Sequence, residues 1–169
     1  IKPGTIITVM ASESTKIEPE YLSPLTEIAV RGALVIEGTD EAPVVFRSGK
    51  EAKAPAWAGI IVDGGKATIR SAVISHADTG VYVVNGTLDM QGSTLSKNRY
   101  GIVAHGHESA AKIESSRVSE NEYGIMQLNG ATIESRSVRL EGNRKKNAYT
   151  AAAKDIHPPL RAHARESRD

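Results

Sequence analysis

The chain has 169 residues, with 21 Lys and Arg against 20 Asp and Glu, no Cys, one Phe, one Trp and an aromatic content of 4%. One domain is expected at this length. The absence of Cys excludes disulfides, thiolate metal sites and iron–sulfur clusters. No apolar run approaches the roughly 18 residues of a membrane span, and a net charge near zero argues against general nucleic-acid binding.

The N-terminal third contains four short stretches with the apolar alternation of β-strands. They lie within Thr5–Val9, Ile28–Val30, Leu34–Ile36 and Val44–Phe46. Two loop insertions interrupt them, near 10–26 and near 49–56. Insertions in repeat proteins tend to cluster on one face, which is often the binding face.

A repeat begins at Gly59 and recurs at Gly80, Gly101 and Gly124, with spacings of 21, 21 and 23 residues. Each unit holds three short segments of alternating apolar residues separated by Gly, Asn, Ser or Asp. Alternation with a period of two indicates strands and not helices. Three strands per unit predict that each unit forms one turn of a coil whose stacked turns share an interior.

The predicted architecture is an all-β parallel solenoid of about five turns, in which equivalent residues of successive turns stack as ladders. We expect one ladder on each of two faces and one at a corner, where Asn and Asp tolerate left-handed backbone. The ladders are Ile60, Val81, Ile102 and Ile125; Ile69, Leu88 or Met90, Ile113 and Ile133; and, at the corner, Asp78, Asn98, Asn121 and Asn143.

The predicted domain covers residues 1–143, and residues 144–169 form an irregular basic C-terminal tail. The tail has seven basic and three acidic residues, a net charge of +4; because the whole chain carries +1, residues 1–143 carry −3. A short helix near Tyr149–Asp155 is one expectation for the tail. Arg144, Lys145 and Lys146 are candidate binding residues, and the tail is either a solvated segment or a docking arm for an acidic partner.

Several segments give the chain a resemblance to right-handed parallel β-helix proteins of the pectin-lyase-like superfamily, which are found in bacterial envelope and secreted proteins. The residues that carry it are Lys2-Pro-Gly-Thr5, Gly32–Thr39, Ala42–Ser48 and Trp57–Val62. The resemblance implies a right-handed coil and an extracytoplasmic location, in the periplasm, at the cell surface or secreted. The fold hosts lyases, hydrolases, epimerases, adhesins and structural rods, so it does not specify an activity.

The candidate catalytic residues are His105, His107 and Glu108. His105 and His107 occupy alternate positions, so they would face the same way on a strand. With Tyr100-Gly-Ile102 the stretch weakly resembles the Tyr-Gly-Ile-Asp-Pro-His-Asp motif of alginate epimerases, but Val103 and Ala104 replace the Asp and Pro. No metal site and no cofactor are predicted, because two His and one Glu do not specify an ion.

Tyr100 and Tyr123 occupy equivalent positions and should stack on neighbouring turns, where tyrosines are able to bind sugar rings. Asp63, Asp78 and Asp89 lie in different strands or corners. They therefore do not predict the paired carboxylates of a glycosidase.

The function predicted from the sequence is that of a non-catalytic structural or interaction module outside the cytoplasm, a subunit of a larger envelope or extracellular assembly. Other protein subunits would bind the open ends of the coil, where strand edges are unpaired, or the basic tail. The alternative is a carbohydrate-active protein, either an acidic-polysaccharide lyase or epimerase or a polysaccharide-binding module.

Overall fold

A computed structural model describes residues 1–10, 25–49 and 55–151. Most of both predicted loop insertions and most of the predicted tail lie outside these ranges. All regular secondary structure within them is β. In chain order the strands are β1 (Ile6–Val9), β2 (Glu27–Val30), β3 (Ala33–Glu37), β4 (Val44–Ser48), β5 (Gly59–Asp63), β6 (Lys66–Arg70), β7 (Ala72–Ser75), β8 (Thr79–Val84), β9 (Thr87–Gln91), β10 (Thr94–Ser96), β11 (Tyr100–His105), β12 (Ala110–Glu114), β13 (Arg117–Ser119), β14 (Tyr123–Leu128), β15 (Thr132–Arg136), β16 (Arg139–Glu141) and β17 (Lys146–Ala151).

The strands form three parallel sheets, and each strand pairs with the strands three before and three after it. Sheet A has the order β1-β4-β7-β10-β13-β16, sheet B the order β2-β5-β8-β11-β14-β17, and sheet C the order β3-β6-β9-β12-β15. Consecutive strands of the chain therefore lie in different sheets, as the path of a coil requires. The predicted parallel β-helix is confirmed.

The interior consists of ladders of aliphatic side chains in register. The predicted sheet B ladder is confirmed: Ile60 pairs with Val81, Val81 with Ile102, and Ile102 with Ile125. The sheet C prediction is partly wrong. The ladder contains Ile69, Met90 and Ile113 as expected, but its next member is Ser135. Ile133 instead pairs with Ala111. Paired residues of β12 and β15 are 22 residues apart, whereas Ile133 lies only 20 residues after Ile113, so it falls one interior position earlier on the strand.

The only Phe and the only Trp lie together inside the first turns of the coil. Phe46 and Trp57 are both fully buried, and their rings stack with centroids 6.4 Å apart and planes 14° apart. The Trp57 Nε1 donates a hydrogen bond to the carbonyl oxygen of Ser75 at 2.9 Å. The buried indole is thus satisfied, as a polar atom in an apolar interior must be.

An asparagine ladder fixes the corner between sheets A and B. The Oδ1 of Asn98, Asn121 and Asn143 each accepts a hydrogen bond from the backbone of the preceding turn, at 2.9, 2.9 and 3.1 Å. The donor for Asn98 is the backbone N of Ala77, so Ala77 holds the ladder position in that turn. The prediction that Asp78 belongs to this ladder is therefore wrong by one residue.

The coil continues into the segment predicted to be an irregular tail. Strand β17 pairs in parallel with β14, with Ile125 opposite Ala148 and Met126 opposite Tyr149. The helix expected near Tyr149–Asp155 is wrong for residues 149–151, which belong to this strand. The open edge of β14 offers backbone partners to the segment, and this outweighs the modest helix propensity of its alanines.

Candidate functional site

The outer face of sheet B is apolar and buried. Its central column contains Ile61, Tyr82, Val103, Met126 and Tyr149, which are in register on successive strands. Ile61, Tyr82, Val103 and Met126 are only 1%, 1%, 0% and 3% exposed. These residues alternate with the interior ladder, so their side chains point away from the core. We call this column, with the adjoining Ala58, Tyr100 and Leu128, the sheet B face.

His105 lies at the end of β11, at the edge of the sheet B face, and is 5% exposed. The Tyr82 hydroxyl lies 2.8 Å from its Nδ1, and the Nδ2 of Asn129 donates to its Nε2 at 2.9 Å. Since Nε2 accepts a hydrogen bond, the neutral ring carries its proton on Nδ1 and donates it to the Tyr82 oxygen. Both ring nitrogens are therefore engaged, and His105 is held as a neutral structural group.

Burial sets the protonation of this pair. It lowers the pKa of His105 and raises the pKa of the Tyr82 hydroxyl. Desolvation disfavours the charged form of each group. Protonation of His105 would place a hydrogen on Nε2 that faces the N–H of the Asn129 amide, so that two donors would meet. The hydrogen bonds and the burial therefore both favour the neutral ring.

His107 and Glu108, the other two candidate catalytic residues, are both exposed in the turn after β11. The ring of His107 lies against Gly130, where a Cβ atom would come within 2.2 Å of the ring. The turn is held below them by Ser109, which donates to the His105 carbonyl oxygen and accepts from the backbone N of Asn85 at 2.8 Å. Within the described residues no ion pair joins a carboxylate to His105 or His107.

Tyr100 and Tyr123 stack on neighbouring strands, as predicted, with ring centroids 5.2 Å apart and planes 14° apart. Tyr100 is only 2% exposed, however, and Arg99 lies over its ring at 5.1 Å. Burial raises the pKa of Tyr100 to about 12. The pair therefore presents only part of Tyr123 to solvent and does not form an open platform for sugar rings.

The three basic candidates of the predicted tail lie at the start of β17 or just before it. The Arg144 backbone N donates to the Asn121 carbonyl oxygen at 2.8 Å. Lys145 pairs with Glu122 and also lies 5.3 Å from the centre of the Tyr123 ring. Lys146 lies 4.4 Å from the centre of the Tyr149 ring. Lys145 and Lys146 thus lie beside tyrosines that pack against the sheet B face.

The three aspartates considered as catalytic candidates lie in separate ion pairs. Asp63 accepts from Arg31 at 3.0 Å, Asp78 from Arg99 at 3.4 Å, and Asp89 from Arg70 at 2.8 Å. The pKa of Asp89 is lowered, chiefly by its hydrogen bond from Arg70. In the part of the chain that the structure describes, no group of three or more His, Asp and Glu side chains is arranged to hold a metal ion.

Among the described residues, the interior apolar side chains at the C-terminal end of the coil are less buried than those one turn earlier. Ile133, Val138 and Leu140 are half-buried, whereas Ile113 and Val118 one turn earlier are fully buried. Strands β15, β16 and β17 are the last strands of their sheets. Each therefore pairs on one side only among the described strands.

The sheet B face was not predicted from the sequence. Its signal is present, because Ile60-Ile-Val62, Val81-Tyr-Val-Val84 and Ile102-Val-Ala104 are continuous apolar runs. A strand that is buried on both faces has such a run instead of strict alternation. His105 could not be assigned its partners in the same way, since Tyr82 and Asn129 lie 23 and 24 residues away in the sequence.

The fold and a comparison with known families place the chain in one class, the parallel β-helix proteins. Residues 49–155 match the family model described as a right-handed β-helix region. The chain belongs to this family, and its coil is right-handed. No curated protein and no solved structure matches the sequence. Among the described residues, no helix has the length and apolarity that crossing a membrane requires.

Proposed function

We propose that this β-helix is a non-catalytic structural or interaction module that works outside the cytoplasm and binds another protein chain through its C-terminal end. The observation that carries the proposal is the half-buried apolar patch of Ile133, Val138 and Leu140, framed by the outer edges of β15, β16 and β17. Unpaired strand edges next to apolar side chains are what an added strand of a partner recognises.

The N-terminal end also leaves Ile7, Ile28 and Leu34 half-buried, but the chain's own backbone already occupies part of its strand edge. The Ile1 ammonium donates to the Val35 carbonyl oxygen at 2.6 Å, and the Glu37 backbone N donates to the Ile1 carbonyl oxygen at 2.9 Å. These bonds occupy part of the outer edge of β3. Ile36 is fully buried there.

Polar residues at the C-terminal end favour a different partner over endless stacking of copies. Gln127 follows Ala104 in one interior column and is followed by Thr150, while Ser135 follows Ile113 in another. A second coil that continued the aliphatic ladders would bury these groups without partners, which is costly. A partner with matching polar groups satisfies them.

The contacts of His105 and of the three aspartates support the non-catalytic part of the proposal. Both ring nitrogens of His105 are engaged by Tyr82 and Asn129, and Asp63, Asp78 and Asp89 are each in an ion pair. A general base must be within reach of a substrate proton. The imidazole of His105 is buried and both of its nitrogens are already hydrogen-bonded, so it is not within reach of a substrate proton.

The association test compares the wild type with Leu140→Lys, which places a charge in the end patch. The matched control is Ile6→Lys, at an exposed position on the first strand of sheet A. We expect the wild type to co-purify from its native cells with a partner, and Leu140→Lys but not Ile6→Lys to lose it. If light scattering shows that the wild type recovered from those cells is a monomer without a partner, the proposal is contradicted.

Two further measurements test the remaining parts of the proposal. Incubation with acidic polysaccharides should release no product; turnover that His107→Ala abolishes would establish the carbohydrate-active alternative instead. Fractionation of the native cells should place the protein in the periplasmic, surface or secreted fraction. Recovery in the cytoplasmic fraction contradicts the proposed location.

A further inference from the structure

A cavity of about 350 Å³ lies on the outside of the coil, at the corner where the chain passes from sheet C to sheet A. Its lining comes from three successive turns and consists of Gly, Ser, Thr and Arg residues, with no carboxylate among them. Those that matter for its chemistry are Ser115, Ser116 and Ser137 and the two arginines Arg117 and Arg139. A volume of this size falls within the range of ligand pockets, roughly 300–1,000 Å³.

The cavity wall carries two positive charges on neighbouring strands. Arg117 on β13 and Arg139 on β16 lie opposite each other in register, and both side chains are exposed. Like charges held this close repel each other. Glu141 pairs with Arg117 at 3.3 Å, whereas Arg139 forms no ion pair within the described residues. The chain's own carboxylates therefore balance this charge only in part.

The serine hydroxyls around the cavity are of two kinds. Those of Ser93 and Ser116 accept from the backbone N of Ala72 and of Ser93, at 3.1 Å each, and so link successive turns. Those of Ser115 and Ser137 are exposed and form no hydrogen bond with any described residue. The second pair can therefore donate to a ligand.

The ladder of linking hydroxyls ends at this cavity. Its continuation would need a hydroxyl opposite Ser116 in the next turn, but the register places Val138 there. Among the described residues the backbone N of Ser116 consequently has no acceptor, although Ser116 is only 4% exposed. Buried backbone donors are nearly always paired. This N–H is thus a further unused donor in a residue that lines the cavity.

We propose that this cavity binds a phosphate or sulfate group carried as an ester on a larger polar molecule. Arginine suits such oxyanions because its planar guanidinium donates two parallel hydrogen bonds to a pair of oxygens. The Ser115 and Ser137 hydroxyls and the Ser116 N–H provide donors for the remaining oxygens. The volume is about ten times the roughly 30 Å³ that one water molecule occupies, so it also accommodates the molecule that carries the oxyanion.

This site goes beyond the proposed function and does not depend on it. Val138 and Leu140 pack against the core, whereas the side chain of Arg139 between them points outward. A change at Arg139 therefore leaves the apolar patch at the C-terminal end intact. Capture of a protein partner by that patch should be the same in the wild type and in Arg139→Gln, so the two proposals fail independently.

The direct test is a titration of the full chain with glucose 6-phosphate and, separately, with glucose 6-sulfate, followed through backbone amide shifts in NMR spectra. We expect saturable shifts at residues 115–117 and 137–139 with at least one ester and none with glucose. The ester that binds more tightly shows which anion the site prefers. An equal response to glucose, tighter binding of glucuronate than of both esters, shifts confined to other residues, or no saturable shift overturns the proposal.

Substitution of an arginine separates the site from the general charge at this end of the coil. Arg139→Gln should weaken ester binding about tenfold or more, because hydrogen bonds to a charged group are lost. Arg136→Gln removes the same charge from an exposed arginine that does not line the cavity. It should change the affinity less than about twofold, since solvent and salt screen exposed charges. Equal losses in the two variants contradict the proposal.

A serine variant tests the hydroxyl donors without changing the charge. Ser137 has a left-handed backbone with a φ of 54°, and Gly92 holds the equivalent position two turns earlier with a φ of 62°, so glycine fits at this corner. Ser137→Gly should weaken ester binding several-fold. Ser71→Gly is the matched control, because Ser71 holds the same corner position outside the cavity. If the two variants bind the ester equally, the Ser137 hydroxyl is not part of the site.

Discussion

The outer faces of sheets B and C are built on the same kind of parallel ladder but have opposite character. The central column of sheet B is Ile61, Tyr82, Val103, Met126 and Tyr149. The corresponding column of sheet C is Val35, Thr68, Asp89, Lys112 and Glu134. Val35 is 47% exposed and Lys112 and Glu134 are also exposed, whereas Val103 is 0% exposed.

The difference shows that the interior ladders suffice to form the coil, while the outer side chains decide what each face does. Sheet C has apolar side chains on its interior face and mainly polar or charged ones on its outer face. Its outer face can therefore remain in contact with water. Sheet B is apolar and buried on both sides, as parallel sheets commonly are. Carbohydrate recognition, in contrast, needs accessible polar and aromatic groups together. The buried tyrosines of sheet B do not supply them.

The largest expected effect is that of a charge buried on the sheet B face. Val103→Asp should lower the free energy of unfolding by about 3 kcal/mol or more, because the carboxylate is removed from water without a partner. The same change at Val35, on the sheet C face, should cost less than about 1 kcal/mol because that site is solvated. Denaturant unfolding of both variants measures the difference. Equal losses would show that the two faces do not differ.

Removing one hydroxyl from the sheet B face should have a smaller effect. Tyr82→Phe leaves the Nδ1 of His105 without its partner, which we expect to lower the free energy of unfolding by about 1–2 kcal/mol. Tyr149→Phe is the control on the same column, because the structure records no hydrogen bond for its hydroxyl within the described residues. It should change the free energy of unfolding by less than about 0.5 kcal/mol. A similar loss in both variants contradicts the role assigned to the Tyr82–His105 bond.

The two faces should lose stability in different ranges of pH. Burial lowers the pKa of His105 below 6.5, so below pH 6.5 the unfolded chain binds more protons than the folded chain. Stability therefore falls as the pH decreases from 6.5. The hydrogen bond from Arg70 lowers the pKa of Asp89 below 3.8, so its contribution is present above pH 3.8 and disappears below it.

Thermal unfolding as a function of pH tests this separation in two variants. His105→Gln should reduce the loss of stability that begins as the pH falls below 6.5. Part of that loss should remain, because burial and, to a smaller extent, the charge of Lys97 also lower the pKa of His76. Asp89→Asn should change only the loss of stability below pH 3.8. If His105→Gln leaves the loss of stability below pH 6.5 unchanged, titration of His105 does not cause that loss.

The smallest expected effect concerns the ion pair on the sheet C face. Arg70 and Asp89 form two side-chain hydrogen bonds, at 2.8 and 3.2 Å, but both side chains are substantially exposed. A double-mutant cycle of Arg70→Ala and Asp89→Ala should give a coupling energy below about 1 kcal/mol that decreases with added salt. A larger, salt-independent coupling would show that sheet C also depends on its outer side chains.

The coil itself was predictable because its determinants repeat in the sequence. The glycines that open each unit and the short alternating segments specify strands that stack turn upon turn. The asparagine ladder was predicted correctly at Asn98, Asn121 and Asn143. The residue at the equivalent position in the turn before Asn98 was not. Composition makes Asp78 resemble a ladder member, whereas the backbone register gives that place to Ala77.

The features that the sequence did not predict depend on contacts between turns. Strand β17 has no apolar alternation and forms because β14 offers an unpaired edge. The partners of His105 come from the turn before it and the turn after it. The interior columns of the last turn change from aliphatic to polar at Gln127 and Ser135, and only the pairing register shows that these positions face inward.

The stacked pair of Phe46 and Trp57 has a spectroscopic consequence. The chain has a single tryptophan, and it is fully buried near the N-terminal end of the coil. Its fluorescence therefore reports on that end, whereas circular dichroism averages over all the turns. Because each turn of a solenoid contacts mainly its neighbours, opposite ends can unfold separately. Coincident transitions would show that the turns unfold as one cooperative unit, and a later fluorescence transition would show that unfolding begins at the C-terminal end.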